Sequence, residues 1–198
     1  MIIHINGPSG SGKTTLGQRL AKHKEFMVID SDDIDDKNAL RLLAYKKYNN
    51  LFTEDGMEQY FKMKEAANKE ALKKIIEVAK QKKKILVVVG LTLTIPGRHK
   101  KYRIGIDPET CFRRVTARTV ASMCKNAKAI QQLVNDENNT PDRIFMTMLH
   151  EYKIRVGVPP SPPDYMKMIE KSEKNAKRNG ITVATSDDIY QELVAAIQ

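Results

Sequence analysis

The chain has 198 residues, a length that suits one compact α/β domain with room for an insertion. Such a domain buries roughly 70% of its unfolded surface, so its core needs no staple, and Cys111 and Cys124 lack metal-type spacing. Lys and Arg outnumber Asp and Glu by 34 to 24, giving a net charge of +10 and a pI near 9.5. That excess concentrates anions such as nucleotides, sugar phosphates or nucleic acid. An aromatic content of 6%, with no basic stripe interleaved with stacking rings, disfavours nucleic acid. No apolar stretch approaches a membrane span and the start does not resemble a secretion signal, so a soluble, cytoplasmic protein in a reducing compartment is expected.

In chain order, Met1 to Asn6 is apolar and β-branched and reads as a buried first strand. Gly7-Pro8-Ser9-Gly10-Ser11-Gly12-Lys13-Thr14 follows, then a helix over 13–24 with Leu16 and Leu20 at helical spacing. Residues 25–30 form a second strand ending in carboxylates, and Ser31 caps a helix to about Tyr48, with Leu40 and Leu43 on one face. Thr53 caps a long helix from 54 to 81, whose apolar residues Tyr60, Phe61, Met63, Ala67, Ala71, Leu72, Ile75, Ile76 and Ala79 recur with a period near 3.6. Its lysines, from Lys62 to Lys84, form a solvated outer face. The run Ile85 to Val89 is a strand covered on both faces, and Tyr102 to Asp107 a fourth strand. Pro108 opens a helix. Regularity lapses between about Thr119 and Gly180, where the breaks at 135–141 and 158–163 suggest a helical insertion able to move as a lid. Ile181 to Thr185 and a helix from Ser186 to about Ile197 complete the pattern. Alternating strands and helices make a parallel sheet wrapped on both sides, a single domain over 1–198 with the insertion at 119–180.

The glycine loop spells G-x-x-x-x-G-K-[ST] between a strand and a helix, the context that makes the pattern a phosphate site. Gly7, Ser9, Gly10, Ser11, Gly12, Lys13, Thr14 and Thr15 are the candidate phosphate contacts. Backbone N–H groups curl round the anion at the positive end of a helix. Lys13 serves the β- and γ-phosphates and the Thr14 hydroxyl ligates Mg²⁺. A nucleoside triphosphate is the expected ligand. Ligands of an open parallel sheet bind beyond its carboxyl ends. There stand Asp30 and Asp32, spaced so that one holds Mg²⁺ and the other accepts a proton from an attacking hydroxyl. Asp35 and Asp36 merely favour the start of their helix. Gly90 occupies the third-strand end where many phosphate-loop enzymes carry a magnesium-binding Asp, which returns the metal to Asp30 or Asp32. Arg98 is a candidate for holding an acceptor phosphate or carboxylate. Arg114 and Arg118 share a helical face and are candidates for the transferring phosphoryl, with Arg155 a weaker one. His4, His23, His99 and His150 share no ligand spacing and read as structural. Met146 and Met148 read as core filling.

These motifs resemble the nucleoside monophosphate kinase and shikimate kinase superfamily of small phosphate-loop kinases, over most of the chain outside 119–180. The resemblance rests on Gly7 to Thr14, on Asp30-Ser31-Asp32, and on Asp107-Pro108-Glu109 followed by Arg114 and Arg118. It implies a three-layer phosphate-loop NTPase fold, α/β with a five-stranded parallel sheet of order 2-3-1-4-5 and a helical lid. It implies that Asp30 assists Mg²⁺ while Asp32 meets the acceptor hydroxyl, that Arg114 packs on the adenine while Arg118 reaches the phosphates, and that Ser186 edges the donor base. The chain departs from adenylate kinases, which carry Asp-Gly-Phe-Pro-Arg after the third strand, and from shikimate kinases, which carry three glycines there. The favoured expectation is an ATP- and Mg²⁺-dependent kinase acting on a nucleoside or nucleoside monophosphate. The alternatives are a shikimate-kinase-like metabolite kinase, a 5′-hydroxyl polynucleotide kinase and a non-catalytic nucleotide binder. No membrane partner is expected, and the sequence leaves the oligomeric state open.

Overall fold

Ile2–Asn6 (β1) is the middle strand of a five-stranded parallel sheet ordered β2-β3-β1-β4-β5. The computed structural model describes residues 1–44, 54–90, 94–139, 141–152 and 162–197. Its remaining elements are α1 (Lys13–Leu20), β2 (Phe26–Asp30), α2 (Ser31–Ala44), α3 (Glu54–Gln81), β3 (Ile85–Val89), β4 (Lys100–Ile104), α4 (Pro108–Asn135), α5 (Pro141–His150), α6 (Pro162–Arg178), β5 (Thr182–Ala184) and α7 (Ser186–Ala195). β1 pairs with β3 on one side (Ile2 opposite Leu86) and with β4 on the other (Ile3 opposite Lys100). The sheet order is the one the resemblance implied. Thr53, the helix end near Tyr48, residues 91–93, Arg155 and most of the 158–163 break lie outside the described residues, as do the side chains of Leu40, Leu43 and His150.

The chain divides into two compact units. The first comprises Met1–Asp32, Lys69–Arg114 and Pro160–Gln198. Here Ile3 and Ile5 of β1, Tyr102 and Ile104 of β4, Leu16 and Leu20 of α1 and Ile189 and Leu193 of α7 build one apolar core. The alternation along β1 and β4 leaves His4, Asn6 and Arg103 for the opposite face of the sheet.

Four elements differ from expectation by two residues or more. β4 starts two residues and ends three residues earlier than the apolar pattern suggests, because Asp107 is spent on the following helix. Its Oδ2 accepts the Thr110 N–H at 2.8 Å, holding the carboxyl below its ordinary range and capping α4 ahead of Pro108. α1 stops at Leu20, where the Lys22 and His23 amides turn back to the Arg19 and Leu20 carbonyls. α7 closes at Ala195, short of Ile197. α4 runs unbroken to Asn135, through the stretch where regularity was expected to lapse. Its half-buried side includes Ser122 and Asn126, whose polar side chains bond locally and hide the helical period. Asn126 Nδ2 donates to the Ser122 carbonyl at 3.0 Å, and Ser122 Oγ to that of Tyr152 at 2.5 Å.

The second unit comprises Asp33–Asn68 and Val115–Pro159. Ala39, Leu42, Tyr60 and Met146 form a small apolar cluster beside a buried polar one. Asp35 is not a mere helix-start charge. It accepts Asn68 Nδ2 at 2.6 Å and Lys64 Nζ at 2.9 Å, while Asn38 Nδ2 donates to Asn68 Oδ1 at 2.8 Å. Lys64 therefore leaves the solvated lysine face, where Lys62 and Lys74 pair with glutamates four residues earlier. Phe61 and Met63 are exposed rather than core. Among the described residues no helix is long and apolar enough to cross a membrane. Asn68→Ala would leave Asp35 and Asn38 each short of a buried partner, a loss of about 2 kcal/mol. Chemical denaturation of the variant measures it, and an unchanged midpoint refutes the network's importance.

Candidate nucleotide-binding site

The loop between β1 and α1 is shaped by glycines in the left-handed region, Gly10 at φ 86° and Gly12 at φ 92°. A side chain at either position would cost about 1 kcal/mol or more. α1 starts at Lys13 with no side chain capping it, so its first amides and its dipole face the loop's concave side. Lys13 arches over the loop, its Nζ donating to the Gly7 carbonyl at 2.8 Å and the Pro8 carbonyl at 2.9 Å. Ser11 is buried and its amide closes a turn to Pro8 at 3.2 Å. Thr15 is exposed on the first turn of α1.

The parallel register carries Asp30 to the same edge. Thr14 Oγ1 donates to Asp30 Oδ2 at 3.2 Å, and Asp30 Oδ1 accepts the Asp32 amide at 3.0 Å. Ser31 Oγ approaches Asp32 Oδ1 at 3.3 Å, and Asp32 is exposed. A hydroxyl and a carboxylate at this distance fit Mg²⁺, which keeps several waters and shares phosphate oxygens rather than demanding a full protein cage. Among the described residues no group of three or more His, Cys, Asp or Glu gathers as a metal site.

Gly90 now has a steric explanation. It sits at φ 123°, and a Cβ there would lie 1.9 Å from Ser31 Oγ. The start of α2 occupies the space a third-strand aspartate would need. His4 Nε2 meets the Gly90 carbonyl at 2.9 Å, and burial pushes the His4 ring below its ordinary pKa of 6.5.

The candidate arginines separate. Arg114 Nη1 reaches the Gly10 carbonyl at 3.4 Å. Arg118 is exposed one turn further along α4, in the second unit. Arg98 is exposed before β4, and among the described residues no hydrogen bond or ion pair includes it. Ser186 opens α7 behind the Thr185 cap, whose Oγ1 accepts the Asp188 amide at 3.2 Å. His23 meets the Tyr190 hydroxyl at 2.9 Å, a contact unrelated to the loop.

Three residues around the loop escaped the sequence reading. Cys111 Sγ donates to the Ser9 carbonyl at 2.7 Å, and the Tyr165 hydroxyl donates to the same oxygen at 3.2 Å. Arg103, 5% exposed, stands opposite Asn6 on β4, and burial lowers its pKa against the pull of Glu173. The one available signal was an arginine set between Tyr102 and Ile104 in the strand; Cys111 and Tyr165 offered none.

A parallel sheet of this order with a glycine loop, lysine and threonine at the end of its middle strand defines a phosphate-loop nucleotide-binding protein. The family model described as the AAA domain matches residues 3–138, and the chain belongs to that family of phosphate-loop NTPases, which includes small kinases. No curated protein gives a match.

Two outcomes follow. Gly90→Ala combines a left-handed backbone with a collision, costing about 3 kcal/mol, read as a lowered melting temperature. An unaltered melt would show that Ser31 moves aside freely. The depressed His4 pKa means the fold favours the neutral ring, so its contribution is complete above about pH 6.5 and is lost as pH falls below it. Stability should decline as pH falls below about 6.5, less steeply in His4→Gln; parallel profiles would contradict this.

Proposed function

We propose that the protein is a kinase that moves the γ-phosphoryl of ATP to a small acceptor, a nucleoside or nucleoside monophosphate. The observation that carries this reading is the acidic pair fixed beside the loop, with Thr14 Oγ1 3.2 Å from Asp30 Oδ2 and Asp32 exposed two residues on. A switch or a passive binder needs the loop and the metal site; it does not need a second carboxylate at the mouth. In phosphoryl transfer the protein mainly positions groups and neutralises charge. Lys13 leaves the Gly7 and Pro8 carbonyls for the β- and γ-phosphate oxygens. Thr14 and Asp30 would hold Mg²⁺, which would supply positive charge against that of the phosphates. Asp32 orients the acceptor hydroxyl and takes its proton as the bond to phosphorus forms. Arg114 already bonds the loop's backbone and turns to the transferring phosphoryl. Arg118, one turn on, supplies a second guanidinium, and Arg98 holds an anionic group of the acceptor. Ser186 borders the donor base. The basic balance favours an acceptor that already carries a phosphate.

Coupled ADP release, run with nucleosides, nucleotides, hydroxy acids and an oligonucleotide 5′-end, tests the reading and separates its alternatives. One acceptor should stimulate turnover. With it, Asp32→Asn should lower kcat by about 10²- to 10⁴-fold and leave the Kd for MgADP within about twofold, as removal of a general base requires. Lys13→Ala should weaken MgADP itself. Stimulation by no acceptor, with MgADP still bound, would leave a nucleotide-binding protein that is not a kinase.

A further inference from the structure

The Ser9 carbonyl of the phosphate loop accepts from two side chains that lie outside the sequence motif. Cys111 Sγ lies 2.7 Å from it and the Tyr165 hydroxyl 3.2 Å, with sulfur and hydroxyl 3.8 Å from each other. Both donors are built in. Cys111 is fully buried in the first turn of α4, and Tyr165 is 5% exposed at the start of α6. The Tyr165 ring meets that of Phe112 edge-on, with centroids 5.6 Å apart. A second tie fixes α6 two turns later, where Glu173 Oε1 accepts the Ile106 amide at 3.3 Å and faces the Arg103 guanidinium. Tyr165, Ile169, Glu173 and Ala176 thus form the helix's inward stripe.

The consequence lies in the peptide plane. Among the described residues there are no cis peptide bonds, so the Ser9 carbonyl and the Gly10 N–H point in opposite directions. A carbonyl drawn back toward α4 and α6 aims the Gly10 amide forward, into the concave side of the loop. Gly10, at φ 86° and without a Cβ, has a wide choice of alternative conformations, so an unanchored Ser9–Gly10 peptide would rotate.

We propose that Cys111 and Tyr165 are positioning residues of the nucleotide site: by holding the Ser9 carbonyl they orient the Gly10 amide toward the phosphates and set the affinity for them. Neither touches the ligand. The claim rests on the nucleotide-binding reading of the loop and adds to it that this affinity depends on the seating of α6, a helix far outside the motif.

Tyr165→Phe removes one hydroxyl and keeps the ring against Phe112; Cys111→Ala removes the other donor; Tyr102→Phe, which cuts a half-buried hydrogen bond to Glu192, is the control. Deuterium uptake by peptides spanning residues 9–12 should quicken about fivefold in the two loop variants and stay unchanged in the control. The Kd for MgADP should rise about five- to tenfold in Tyr165→Phe while the melting temperature shifts by less than about 2 °C. Unchanged uptake overturns the proposal, as does equal quickening in Tyr102→Phe, which would mean general loosening. Quickened uptake with unaltered affinity overturns it too. A wild-type chain that fails to bind MgADP brings down the nucleotide reading itself, and that failure is visible without any variant.

Discussion

A helix whose first amides must remain available to a ligand cannot be capped by its own chain, and the rest of the site follows from that constraint. Ser, Thr, Asp or Asn at the cap would satisfy those amides and fill the space a phosphate needs. Gly12 stands there instead, left-handed and without a side chain. The stability an ordinary cap contributes is forgone, about 1 kcal/mol. The loop is secured through its carbonyls, which an anion does not use. Lys13 takes those of Gly7 and Pro8, Arg114 that of Gly10, and Cys111 and Tyr165 that of Ser9. Donors to the acceptors on one side leave the amides on the other side free to converge.

The same economy explains the acidic edge. A carboxylate at the end of β3 would compete with the first turn of α2, because Ser31 already lies where its Cβ would be. β2 and β3 are neighbours with Asp30 opposite Val89, so an acid at the end of β2 reaches Thr14 from one strand further out. The metal-binding duty can move by one strand without moving in space. Gly90 is therefore a fitted residue and not a lost aspartate, and its presence is no argument against phosphoryl transfer.

The sheet was legible because its signals are local. Ile85 to Val89, buried from Leu86 onward, and the glycine loop after Ile2 to Asn6 each identify an element by composition alone. Helix ends were less legible, since Asp107 looks like a strand residue until its bond to the Thr110 amide shows it to be a cap. The mid-part of α4 was hidden because Ser122 and Asn126 turn polar groups to its inner side and bond to nearby carbonyls. The loop, Asp30 and Asp32 were readable from the motif as candidates for the site. Cys111 and Tyr165 were not, since a contact between residue 9 and residue 165 leaves no trace in spacing. Arg98 and Arg118 remained readings of residue type alone, whereas Arg114 acquired a bond to the loop.

The run of carboxylates after β2 shows how one composition serves two purposes. The division between the compact units falls between Asp32 and Asp33. Before it, Asp30 and Asp32 share a hydrogen bond at the exposed end of a strand, beside Thr14. After it, Asp35 is 6% exposed and saturated by Lys64 and Asn68, with Asn38 completing the chain of donors. A buried carboxylate so matched is costly to unpair and poorly placed to exchange protons or metal. The first pair lies at a strand end where Asp32 is exposed, within reach of a cation or an acceptor hydroxyl. Burial therefore sorts the acids of one short segment into those that build the second unit and those left accessible. Asp30 and Asp32 are the pair to which the proposed reaction is assigned on that ground.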